Sequence, residues 1–224
     1  MPAVKQQLIQ AASSGQASHI IFTGHSAGGA IASLMYLHFL GIASQTCMPR
    51  PLLVAQVVLL LTTETVPSLR FSLVTFGSPP VIAPPVTELV NELLKRQANP
   101  GLAVSVVYET DVVTRADHQY MLSLVNLYRS VDGLAPIAGA EPQSRGGADG
   151  PGRHWPLPPP LLHHVGNIVV LKETDEESDD PQLGAFSVSG LDFAGLLFCS
   201  SRAHHKEAYQ QAVERLRDAD QASV

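Results

Sequence analysis

The sequence predicts an α/β fold built on a mostly parallel sheet with crossover helices. Two observations carry that expectation. Apolar, β-prone runs alternate with helix-length segments, and a glycine-serine turn joins the first such run to the first apolar helix. Of the 224 residues, 45% are hydrophobic and 15% are charged, below the roughly 25% charge usual for soluble globular chains, so one core-rich domain over 1–224 is expected. A net charge of −6, a pI of about 5.8 and the lack of a basic run argue against nucleic acid as a partner. The two cysteines, Cys47 and Cys199, cannot make a disulfide framework. The longest strongly apolar stretch, Leu52 to Leu61, is about ten residues and carries Gln56, far short of the roughly 20 that cross a bilayer, so no transmembrane segment is expected. The opening MPAVKQQLIQAASSG lacks the apolar core of a signal peptide, which makes a cytoplasmic location the default expectation.

Taken in order, residues 2–13 place Val4, Leu8 and Ile9 at helical spacing before Ser-Ser-Gly, as in a short amphipathic helix. His19-Ile20-Ile21-Phe22-Thr23, ending at Gly24, reads as a buried strand. Small and apolar residues are near-continuous from Ala27 to Leu40, so a buried helix closed by Gly41 follows. Residues 45–68, with Pro49, Pro51 and Pro67 around a Leu/Val run, read either as a core helix or as an inserted packing element. Leu69 to Phe76 is a strand stopped by Gly77-Ser78-Pro79-Pro80. Val86 to Gln97 is a helix, Ala103 to Tyr108 a third strand and His118 to Leu127 a further helix. Residues 131–162, rich in Gly, Pro and Ala, read as a long flexible insertion. It is either a spacer or a flap carrying Trp155. Val165 to Leu171 is another strand. Glu173 to Asp180 holds six acids in eight residues and reads as a solvated loop, because it lacks the spacing of a calcium loop. The last helix spans Lys206 to Asp218, with Tyr209, Val213 and Leu216 on one face.

The chemistry is concentrated in Gly24-His25-Ser26-Ala27-Gly28-Gly29, a G-x-S-x-G string directly after a strand and at the start of an apolar helix. That is the context of a nucleophile elbow. The turn strains the serine and brings strand and helix close together, so glycine at 24 and at 28 is expected to remove collisions. Ser26 Oγ then projects at the carboxyl end of the sheet, and the backbone N–H of Ala27 can donate to a developing oxyanion. The plainer reading is a Gly-rich turn with a capping serine. A serine hydroxyl needs a histidine base and an acid to orient that base. Asp111, just past the third strand, occupies an acid-loop position. Asp117 is the reserve, with helix capping its plainer role. Among nine histidines, His25 is expected to point away from the nucleophile and pack, and His163 and His164 to be structural. His204 and His205 sit in a late loop. Counted back from Tyr209, His205 falls on the buried stripe with Val213, which leaves His204 the freer of the two to act as base.

These pieces resemble the class 3 (fungal-type) lipases: GHSAGGA at 24–30, VTFGSPP at 74–80, TDVVTR at 110–115, HHVGNIVVL at 163–171 and HHKEAY at 204–209. The last is similar to that family's histidine with a tyrosine five residues on. Together they span nearly all of the chain in the family's order. The resemblance implies an α/β-hydrolase-like fold with long loop insertions, N-terminally truncated because only 25 residues precede Ser26. It implies Ser26 as nucleophile, Asp111 as orienting acid and His204 as base, with neither cofactor nor metal. The implied reaction is cleavage of carboxylic esters of lipids through an acyl-enzyme. A lipid ester is then the substrate and transient contact with a lipid surface the partner. The alternatives are a catalytically impaired lipase-like fragment or a non-catalytic interaction module, and an α/β hydrolase acting on a thioester or peptide.

Overall fold

The computed structural model describes residues 6, 7, 10, 14, 18–40, 70–96, 101–137, 157–173 and 182–222. The 45–68 run, most of the 2–13 helix, the centre of the 131–162 insertion with Trp155 and the acidic run after Glu173 lie outside the described residues.

Five strands form one sheet in the order β1-β2-β3-β4-β5. β1 (His19–His25), β2 (Arg70–Phe76), β3 (Ala103–Tyr108) and β4 (Asn167–Glu173) are parallel neighbours, and β5 (Leu183–Val188) pairs antiparallel with β4. Parallel neighbours need long crossovers. The described ones include α1 (Ala27–Phe39) after β1, α2 (Pro84–Arg96) after β2 and α3 (His118–Val131) after β3. Each of these lies within a few residues of its expected bounds. Adjacent residues are buried on β2 (Ser72, Leu73) and β4 (Val170, Leu171), so both faces of the central sheet are covered. One core cluster packs Phe22, Tyr36, Leu37, Leu73 and Val90, which joins α1 and α2 to the β1–β2 side. A second packs Val107, Tyr120, Leu124, Val170, Phe193 and Phe198 around β3, β4 and α3.

Two elements were not expected from the sequence. β5 has half-buried and exposed residues throughout, Phe186 among them, so it shows no clear hydrophobic alternation. The short helix α4 (Gly190–Gly195) follows it. Its start was readable, because Ser189 and Asp192 form a capping box in which Ser189 Oγ accepts from the Asp192 N–H at 3.1 Å. The last helix, α5 (Lys206–Ala222), runs past its expected end and buries a different stripe. Tyr209 and Ala212 are buried, whereas Val213 is 43% exposed and His205 is exposed. The face follows the 3.6-residue turn through 209, 212 and 216, so burial does not explain which histidine is free.

Candidate active site

β1 delivers Ser26 to the carboxyl edge of the sheet. Its N–H donates to the Phe76 carbonyl at 3.0 Å, and its backbone then turns at φ 57°, ψ −131° before α1 begins at Ala27. A non-glycine residue held there stores on the order of 1–3 kcal/mol of strain. Gly24 makes the turn sterically feasible, since a Cβ on it would lie 2.4 Å from the Gly28 carbonyl carbon and oxygen. The expectation for Gly28 is corrected: a Cβ there meets nothing within 4 Å. Gly29 carries that constraint instead, because its Cβ would come within 2.9 Å of the Gly24 oxygen and of Ser78 Cβ. Ala27, the first residue of α1, has an N–H with no carbonyl partner inside the helix, as for any first-turn donor.

Past β3, Thr110 adopts φ 67° and Asp111 starts a short 3-10 helix (Val112–Arg115). The loop before α5 is pinned to this turn, with the Ser200 N–H donating to the Thr110 carbonyl at 2.8 Å and the Val112 N–H to the Ser200 carbonyl at 3.2 Å. Asp111 is fully buried, and three donors satisfy its carboxylate. Oδ1 accepts from the Val113 N–H at 2.9 Å; Oδ2 accepts from the Tyr209 hydroxyl at 2.7 Å and from His204 Nδ1 at 3.0 Å. Such pairing offsets the large cost of burying a charge. The Tyr209 oxygen in turn accepts from the Tyr108 N–H at 2.9 Å. Burial, and then the neighbouring Asp111, push the Tyr209 phenol well above its ordinary value, so it remains a donor. Gly77, at φ +54°, leaves room for this contact: a Cβ there would lie 2.8 Å from Asp111 Oδ2.

His204 ends a 3-10 turn (Arg202–His204) with its side chain 20% exposed. An ionised carboxylate only accepts, so Nδ1 carries the proton and Nε2 turns a lone pair toward Ser26 Oγ, 2.8 Å away. Ser26, His204 and Asp111 are therefore hydrogen-bonded in one line, although they come from positions 26, 204 and 111 of the chain.

The other candidates fall elsewhere. Asp117 caps α3, with Oδ1 accepting from the Tyr120 N–H at 2.9 Å. His163 meets the Thr87 hydroxyl through Nδ1 at 3.2 Å, and its backbone pairs with Ile82. His164 is buried, donates from Nε2 to the Thr114 carbonyl at 3.0 Å, and is held down to a pKa of about 4 by its burial. His25 was expected to pack away from the nucleophile; it packs against His204 instead, their rings stacked with centroids 4.8 Å apart. That contact joins residues 179 apart, and no local signal marks it.

A cavity of about 540 Å³ opens at the amino ends of β3 and β4, lined by Asn91, Leu102, His163, His164 and Asn167 among others, and none of Ser26, Asp111 and His204 borders it. Among the described residues, no group of three or more His, Cys, Asp or Glu is placed to hold a metal ion, and no helix is long and apolar enough to cross a membrane.

The family model for lipase (class 3) matches residues 2–121, which takes in Ser26 and Asp111 and stops before His204. Among solved structures, M37 lipase is similar at 18% identity, over 48% of this chain and 25% of that chain, with a TM-score of 0.32. The matched part thus spans about a quarter of the length of M37 lipase. No curated protein sequence matches the chain. The family match covers more than half of the 224 residues and takes in the parallel strands β1, β2 and β3: the chain belongs to the class 3 lipases.

Proposed function

We propose that this chain is a serine ester hydrolase that cleaves carboxylic esters of lipids, with Ser26 as nucleophile, His204 as base and Asp111 as orienting acid. The observation that carries the reading is the continuous line from Ser26 Oγ to His204 Nε2 at 2.8 Å and from His204 Nδ1 to Asp111 Oδ2 at 3.0 Å. Family membership supports the ester substrate.

In this scheme Ser26 Oγ attacks the ester carbonyl carbon while its proton passes to His204 Nε2. The carbonyl oxygen takes up the electron pair as an oxyanion, toward which the Ala27 N–H at the start of α1 donates. Collapse re-forms the carbonyl and breaks the bond to the alcohol oxygen, which leaves with the proton from His204. A water then repeats the sequence on the acyl-serine, releasing the carboxylic acid and the free enzyme. Asp111 holds the imidazole in the tautomer with Nδ1–H and offsets the charge that builds on it. The strained Ser26 backbone and the pinned acid loop fix these groups before substrate arrives, so little reorganisation opposes the reaction.

The test is cleavage of a p-nitrophenyl acyl ester by the purified chain and by Ser26→Ala. The variant should lose about 10³-fold or more in turnover while keeping its fold by circular dichroism. Equal rates for the two proteins would overturn the proposal.

A further inference from the structure

We propose that His25, the residue before the nucleophile, is a positioning residue that tethers the base loop to the elbow and so sets the Ser26–His204 spacing. This rests on the hydrolase reading above. Its Nε2 lies 2.9 Å from the backbone oxygen of His204. A carbonyl only accepts, so His25 carries its proton on Nε2 and donates. Its ring also stacks on the His204 ring at 4.8 Å, with an interplanar angle of 26°. Its other flank meets Tyr209 edge-on at 5.5 Å, and Tyr209 is the residue whose hydroxyl holds Asp111 Oδ2.

One side chain therefore touches the backbone of the base, the ring of the base and the residue that orients the acid, and it is joined by a peptide bond to the nucleophile. The need for such a device follows from the topology. Ser26 is fixed by β1 and its pairing to β2, whereas His204 sits in a three-residue 3-10 turn between α4 and α5. That turn is pinned to the acid loop through Ser200 and to itself through local bonds. Among the described residues, the polar contact that joins this turn directly to the elbow, apart from the Ser26–His204 hydrogen bond itself, is the one from His25. Stacking fixes the tilt of the imidazole, and the hydrogen bond fixes the height of its backbone.

The test separates ring from donor. His25→Phe keeps an aromatic ring and removes the N–H, whereas His25→Gln restores a donor on a side chain of similar reach. Misplacing a reacting group by about 1 Å costs up to about 100-fold, so His25→Phe should lower kcat by about 10- to 100-fold with KM within about twofold. His25→Gln should recover to within about threefold of wild type, since one side-chain donor is restored. A His25→Phe kcat within about twofold of wild type would overturn the tether, as would equal losses in both variants that track equal falls in thermal midpoint. A second readout needs no turnover: the downfield proton resonance of His204 Nδ1 bound to Asp111. It should be present in wild type and His25→Gln and broadened away in His25→Phe. Its persistence in all three, or its absence from wild type, would contradict the tether. If the wild-type chain cleaves no ester while the resonance behaves as expected, the hydrolase reading fails and the tether stands.

Discussion

At the carboxyl ends of β1 and β3, Ser26, His204, Asp111 and Tyr209 point at one another through hydrogen bonds of 2.7 to 3.0 Å, whereas at the amino ends of β3 and β4 His163, His164, Asn91 and Asn167 line a cavity of about 540 Å³. Both places hold histidine, and only one holds a histidine between a carboxylate and a hydroxyl. His164 is buried, held neutral down to about pH 4, and gives its proton to a backbone carbonyl. His204 keeps a partly exposed ring with both nitrogens aimed at side chains that can use them. On the proposed reading, the cavity at the amino ends is a poorer guide to chemistry than the hydrogen-bonded line at the carboxyl ends. In the proposed mechanism the base must be supported in its charged form as well as its neutral form, which is the role assigned there to the Asp111 carboxylate.

The comparison breaks most sharply at Asp111. Asp111→Asn keeps the shape and removes the charge, and its amide can present a donor to His204 Nδ1, which favours the wrong tautomer. A loss of about 10³- to 10⁴-fold in kcat is expected, read from steady-state ester cleavage. A loss below about tenfold would mean that the carboxylate does not set the state of His204.

His164 tests the other end through stability. Its pKa in the folded chain, about 4, lies below the ordinary 6.5, so the unfolded chain binds a proton that the folded one refuses. Folding therefore loses stability as pH falls from about 6.5 to about 4, by up to roughly 3 kcal/mol, and keeps its full value above that window. Urea denaturation across this range should show a shallower decline for His164→Gln than for wild type. Identical slopes would show that His164 does not carry the effect.

The smallest effect is expected at Tyr209. Tyr209→Phe leaves Asp111 with two of its three donors and strands the Tyr108 N–H, so kcat should fall by about tenfold. Stability should drop by about 1–3 kcal/mol for the unpaired buried group. An unchanged kcat would mean that Val113 and His204 alone hold the carboxylate in place.

Much of this was legible in the sequence where the signal is local. The alternation of apolar runs with helices marked β1 to β4 and the helices between them, and the glycine-serine turn after β1 marked the elbow. Signals that depend on tertiary approach were not legible. Gly29 rather than Gly28 is the sterically constrained glycine because Ser78, from the loop after β2, comes against it. β5 is a partly exposed edge strand, so burial imposes no strong pattern on it. The sequence favours His204 over His205 through a helical stripe that includes Val213, yet α5 buries Ala212 instead. What brings His204 beside Asp111 is the pairing of Ser200 with the turn after β3, a contact between distant segments that periodicity cannot express. His25 shows the same limit, its partner lying 179 residues away.

The most direct test of the central claim is mass spectrometry of the purified chain after reaction with a fluorophosphonate probe. The account expects a single adduct on the peptide containing Ser26, with labelling abolished in Ser26→Ala. A folded wild-type chain that stays unlabelled, or an adduct on another serine that survives Ser26→Ala, would contradict it.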